Sequence, residues 1–175
     1  MALGPARRGW HGEAVATDTY LADRLSSTWF GRGLPARARA RLADIGRLRA
    51  IETGATLLRE GSEADEFGIV LSGLLALRVA IAGRGTATLL TVEPGDVFGW
   101  SAMVPPYRST SSVVGVEAGE ALTFDGPRLR DLLAGDETLA ATLYPRLLEA
   151  LGRRLTATRT QLLDLYARDR EYEPW

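Results

Sequence analysis

Pro94-Gly95-Asp96-Val97-Phe98-Gly99-Trp100, followed eight residues after the Trp by Arg108-Ser109-Thr110, is the stretch whose reading decides the fold. It joins a turn, the end of a buried strand and an anion-binding loop. Pro presets φ and Gly permits positive φ, so Pro94-Gly95 is a strong turn signal, and Gly99 lets backbone N–H groups approach a ligand closely. The guanidinium of Arg108 offers a planar fork that suits phosphate oxygens, with the hydroxyls of Ser109 and Thr110 beside it. These residues read as a receptor for a phosphate. They also admit a plainer reading, in which Arg108 pairs with a local carboxylate such as Asp96 or Glu93 and binds nothing.

Working outward, short apolar runs with a period of two extend from Leu48 to Phe124, punctuated at Gly54, Gly61, Gly73, Gly83, Gly85, Gly95 and Gly115. Turn signals at that spacing predict a sandwich or a β-roll, with Gly83-Arg84-Gly85 at a hairpin tip. Upstream, Thr17-Asp18 can cap a short amphipathic helix carrying Tyr20, Leu21, Leu25 and Phe30, ended by Gly31 and Gly33. A second helix is expected from Pro35 to Gly46 with Leu42 and Ile45 buried. Its Arg37, Arg39 and Arg41 fan around the axis and build no basic stripe. Downstream of Asp125-Gly126-Pro127 the period becomes helical, with Leu129, Leu132 and Leu133 on one face and Gly135 as a stop. Asp136 can cap a long last helix, which Pro145 should kink or restart. Tyr144, Leu148, Leu151, Leu155, Thr158, Leu162 and Leu165 then step by four and three, the seam of a coiled coil.

The runs Gly54-Ala55-Thr56-Leu57-Leu58-Arg59-Glu60-Gly61, Phe67-Gly68-Ile69-Val70-Leu71-Ser72-Gly73 and Leu90 to Gly99, together with the Arg108 loop, resemble the cyclic-nucleotide-binding domain family of catabolite-activator-type regulators, kinase regulatory subunits and gated channels. The resemblance spans roughly Ala43 to Leu165. It implies an α+β fold: a double-stranded β-helix, or jelly-roll-like β-roll, with N-terminal helices and a long C-terminal dimerisation helix. In that family an Arg of a phosphate-binding cassette pairs with the cyclic phosphate, the next small residue donates to it, and a Glu after Phe-Gly holds the ribose 2′-hydroxyl. The ligand-binding set implied here is Phe98, Gly99, Trp100, Ser101, Arg108, Ser109 and Thr110, with Thr158 of the long helix facing the base; Thr158 also reads as a polar register residue within the seam.

One position departs from the family. Trp100 stands where the Glu belongs, and an indole only donates one hydrogen bond where a carboxylate accepts several. That loss alone removes on the order of 1.5–3 kcal/mol, about one to two decades of affinity. The indole reads equally as a plug in the pocket and as a stacking platform. Pro105-Pro106 replaces the family's short apolar helix by an expected loop.

Composition narrows the function. The 175 residues, with 21 basic and 22 acidic side chains and a net charge of −1, fit one domain and carry no gross bias toward nucleic acid. Every basic residue is Arg. With no Cys there is neither a disulfide framework nor a thiolate metal site, and His11 is the only His, so triad and His-cluster metal chemistry have no material. No enzyme is expected, and no cofactor beyond a possible cyclic nucleotide or other small phosphate. The expected organisation is a flexible leader at 1–17, the binding domain at 18–166 and a polar tail at 167–175. That leaves no room for a helix-turn-helix module, so no direct DNA binding is expected, and with no apolar run approaching a transmembrane span no membrane contact is expected. A cytoplasmic homodimer through Leu148, Leu151, Leu155, Leu162 and Leu165, read by an unidentified protein partner, is the expected form. The rival reading is a ligand-free oligomerisation module with a degenerate pocket.

Overall fold

The computed structural model describes the backbone of residues 11–170 and the side chains of residues 19–164. In chain order the elements are α1 (His11–Ser27), α2 (Trp29–Arg32), α3 (Ala36–Ala43), β1 (Gly46–Ile51), β2 (Thr56–Leu58), β3 (Glu66–Ile81), β4 (Gly85–Val92), β5 (Val97–Phe98), β6 (Ser112–Asp125), α4 (Gly126–Gly135) and α5 (Glu137–Arg170).

The two long strands make the roll. β6 is flanked by β1 and β3, β3 continues to β4, and the short β2 and β5 pair with β6 and β3, all antiparallel. The first half of β3 faces the end of β6, Glu66 opposite Asp125, and its second half faces the start, Arg78 opposite Ser112. Between them the register shifts at Val70, Ser72 and Leu74. Gly73 sits in this bend at φ 78°, where a Cβ would lie 2.7 Å from the carbonyl oxygens of Glu117 and Ala118. Only glycine permits that approach.

Alternation along the strands divides the interior in two. Ile69 points toward the helices and packs with Leu25, Phe30, Leu42, Leu129 and Leu143, while its neighbour Val70 points into the roll with Ile51, Leu75, Val92, Phe98 and Val113. Phe30, Phe67 and Phe124 form a line of rings with centroids 5.9 and 6.1 Å apart, tying helix to sheet. The architecture is the expected α+β roll with flanking helices and a long last helix.

Several boundaries differ from expectation. α1 is already helical at His11, the first described residue and within the stretch expected as a leader, where Glu13, Ala14 and Ala16 are good helix formers. It ends before Phe30, which lies in the separate turn α2; Thr28, extended at φ −82° and ψ 153°, accepts the Gly31 N–H at 2.9 Å and so caps it. α3 stops at Ala43, and Gly46 opens β1 instead of closing the helix. α5 is capped as expected by Asp136, which accepts the Leu139 N–H at 2.9 Å, yet it passes through Pro145 without restarting and continues to Arg170, past the expected domain end. The turn after Pro145 is held from outside the helix. Arg146 donates to the Phe30 carbonyl at 3.2 Å and to the Trp29 carbonyl, and pairs with Glu149 at 2.7 Å. Among the described residues no helix is long and apolar enough to cross a membrane.

Candidate functional site: the 99–110 loop and α5

β5 delivers the loop. Phe98 turns into the roll, its ring lying over Gly68, where a Cβ would come within 2.2 Å of it. The side chain is fully buried and belongs to the core. Gly99 takes the left-handed conformation at φ 67°, and Trp100–Met103 form one 3-10 turn with Ser101, Ala102 and Met103 buried. That turn stands where the sequence pointed to a plain loop; Ala102 N–H donating to Gly99 O at 2.9 Å closes it. The far side of the loop is zipped to residues 61–64: Gly61 N–H donates to Ser109 O at 2.8 Å, Ser109 N–H to Ser62 O at 2.9 Å and Ala64 N–H to Tyr107 O at 2.8 Å. Arg130 of α4 clasps both sides, donating to Ala102 O at 2.5 Å with its guanidinium 4.2 Å from the Tyr107 ring centroid.

Within the loop lies a hollow of about 20 Å³ lined by Gly99, Trp100, Ser101, Ser109 and Thr110, and closed by Arg154 of α5. Five of the sequence-predicted site residues therefore meet. Three do not: Phe98 is core, Thr158 is exposed on α5, and Arg108 lies outside the hollow. Arg108 is exposed, donates to the Gly61 carbonyl at 2.5 Å and pairs with neither Asp96 nor Glu93. Neither sequence reading of this side chain describes that geometry. Trp100 is half-buried, forms a wall of the hollow and packs at the margin of the outer core.

Arg154 is the residue that sequence reasoning missed. It also lines a groove of about 250 Å³ between α5 and the strands, with Leu90, Thr91, Asp96, Arg153 and Ala157. Its Nη2 donates to Val97 O at 2.5 Å, and no carboxylate among the described residues lies within ion-pair distance. Burial pushes the guanidinium below its ordinary pKa, and the Asp96 carboxylate offsets part of that shift. In the same hollow, Ser109 is 6% exposed and its Oγ has no hydrogen-bond partner. A signal for Arg154 exists in the sequence: Leu139, Leu143, Leu147 and Ala150 form the inward stripe of α5, and the next step of four lands on it.

The opposite face of α5 is open. Leu148 is 67% and Leu155 72% exposed, and Tyr144 and Leu162 are exposed on the same seam, whereas Leu151 packs partly on the core. The Leu165 side chain lies outside the described residues.

Comparison with known proteins agrees with this architecture. The family model described as "Cyclic nucleotide-binding domain" matches residues 48–136. A CRP-like cAMP-activated global transcriptional regulator of Mycobacterium tuberculosis is 32% identical over 120 residues, covering 66% of this chain and 50% of the regulator. The chain thus spans about half the length of that curated relative. A solved structure from Geobacter metallireducens GS-15, described as cyclic nucleotide-binding, superposes with a TM-score of 0.69 at 27% identity, covering 77% of this chain and 97% of that one. A cyclic nucleotide-binding domain from Methylobacillus flagellatus superposes at 0.72 with 20% identity, covering 85% of each chain, which is likeness of fold.

Proposed function

The chain belongs to the cyclic nucleotide-binding domain family, and from that premise we propose that it is a regulatory sensor, which takes a small phosphate-containing ligand behind the 99–110 loop and signals through α5. One observation carries this reading. The hollow is closed by Arg154, a side chain of the very helix whose far face is unpartnered, so a ligand entering it must press on α5. The phosphate occupies the hollow, and the rest of the ligand, a cyclic nucleotide or a related compound, lies in the groove beside Leu90, Thr91 and Ala157. Coupling requires the ligand to favour one arrangement of α5 over another, since equal affinity for both shifts nothing.

The output is a homodimer surface made by Leu148, Leu151, Leu155, Leu162 and Leu165, read by another protein. Burying a leucine contributes about 1.5–3 kcal/mol, so four or five on each chain offset an association cost of about 4–15 kcal/mol. A thermal-shift panel of cyclic AMP, cyclic GMP and inorganic phosphate tests the sensor. At a hundred times its dissociation constant a ligand stabilises by about 2.7 kcal/mol, which the melting temperature reports. A flat response to the whole panel overturns the sensor and leaves the second reading, a ligand-free oligomerisation module. The small hollow and the indole wall are what favour that alternative.

A further inference from the structure

We propose that the hollow beside Trp100 is a site for a compact tetrahedral oxyanion, inorganic phosphate or the phosphate of a monoester, held by the Arg154 guanidinium and the Ser109 hydroxyl, with Arg108 left outside. This rests on the sensor reading and changes which residue anchors the ligand and which ligands fit.

Three observations converge on it. First, Arg154 is a half-buried cation with one carbonyl bond, to Val97, and, among the described residues, no carboxylate in ion-pair contact. A guanidinium has five N–H donors, so most of its capacity faces the hollow and the groove unspent. A charge partly withdrawn from water gains from a partner, and an anion taken into the hollow would supply one. Asp96 acts on it only from the groove side at longer range, and Arg153, which also lines the groove, lies 4.3 Å from the Trp29 ring centroid. Second, the buried Ser109 Oγ, of a residue that also lines the hollow, has no partner. Buried hydroxyls are rarely left so, and this one can donate to an anion oxygen. Third, size selects the ligand. The hollow of about 20 Å³ holds little more than one water, against roughly 300–1,000 Å³ for pockets that enclose drug-sized molecules. Trp100 blocks one side, and Arg154, tethered at a single carbonyl, is the wall that can yield. A phosphate group enters by drawing that guanidinium off Val97. A nucleoside does not enter the hollow.

Arg108 has no part in this. It too makes one carbonyl bond, to Gly61, but it is exposed and does not line the hollow, so its remaining donors face solvent.

The test titrates the full chain, at constant ionic strength, with inorganic phosphate, ribose 5-phosphate and cyclic AMP, following melting temperature and tryptophan fluorescence. Arg154→Gln, Ser109→Ala and Arg108→Gln are compared with the parent. Phosphate should raise the melting temperature of the parent and of Arg108→Gln alike, and its affinity should fall tenfold or more in Arg154→Gln and several-fold in Ser109→Ala. Without phosphate, Ser109→Ala should melt no lower than the parent, since it removes an unpartnered hydroxyl; it decides the matter if Arg154→Gln does not fold. Equal binding of ribose 5-phosphate identifies a monoester as the ligand group, and binding of inorganic phosphate alone identifies the free anion; both support the site. A phosphate response lost in Arg108→Gln and kept in Arg154→Gln overturns the inference while the sensor stands. So does a response to cyclic AMP with none to phosphate. No response to any of the three overturns both.

Discussion

At Gly99 the backbone turns through φ 67°, and a Cβ there would lie 2.1 Å from the Glu66 carbonyl oxygen. Strand β5 could not pass into the 3-10 turn at this angle with a side chain present, so Gly99→Ala should cost about 2 kcal/mol or more in chemical denaturation. A loss below about 0.5 kcal/mol would mean the loop tolerates another conformation. The neighbouring Trp100 sets chemistry where Gly99 sets shape. Replacing the indole by the family's carboxylate, Trp100→Glu, opens that wall and supplies an acceptor for a ribose hydroxyl. Cyclic AMP affinity should then rise about tenfold or more by calorimetry. Unchanged affinity would show that the ribose does not come near position 100.

Helix α5 is an element with two unlike faces. Its inward stripe, Leu139 to Ala150, packs on the outer core and ends in Arg154; its outward seam carries Leu148 and Leu155 into solvent. Leu148→Arg and Leu155→Arg leave the inward stripe untouched, so each should yield a folded monomer by light scattering. A dimer persisting in both variants would remove the seam as the interface. Near Pro145, where the helix forgoes a backbone hydrogen bond, Arg146 binds α2 through the Trp29 and Phe30 carbonyls, and its guanidinium lies 4.6 Å from the Trp29 ring centroid. Arg146→Ala strips both carbonyls of their donor. It should lower stability by about 1–3 kcal/mol in urea unfolding, and a neutral result would leave apolar packing as the tie between the two helices.

For the molecule as a whole, β3 and β6 each serve both halves of the roll, and the sheet they share separates an inner core from one that belongs equally to the helices. Much of this was legible in the chain. Glycine punctuation and period-two runs from Leu48 to Phe124, then the switch to helix at Asp125-Gly126-Pro127, are local signals, written in backbone preference and in side-chain alternation. The meeting of Gly99, Trp100, Ser101, Ser109 and Thr110 followed from the same loop and was equally readable. The exceptions lie where a local preference met a distant partner: the helical turn beside Pro145 is tied down by Arg146, which reaches carbonyls more than a hundred residues upstream in the chain. By itself the sequence determined the roll, the cassette-like loop and a long helix with an apolar seam, because turn chemistry and periodicity act over a few residues. Which arginine faces the hollow was decided only in three dimensions. Arg108 and Arg154 carry the same guanidinium, and their directions depend on Gly61 and Val97, carbonyls 47 and 57 positions away that only the folded chain brings within reach.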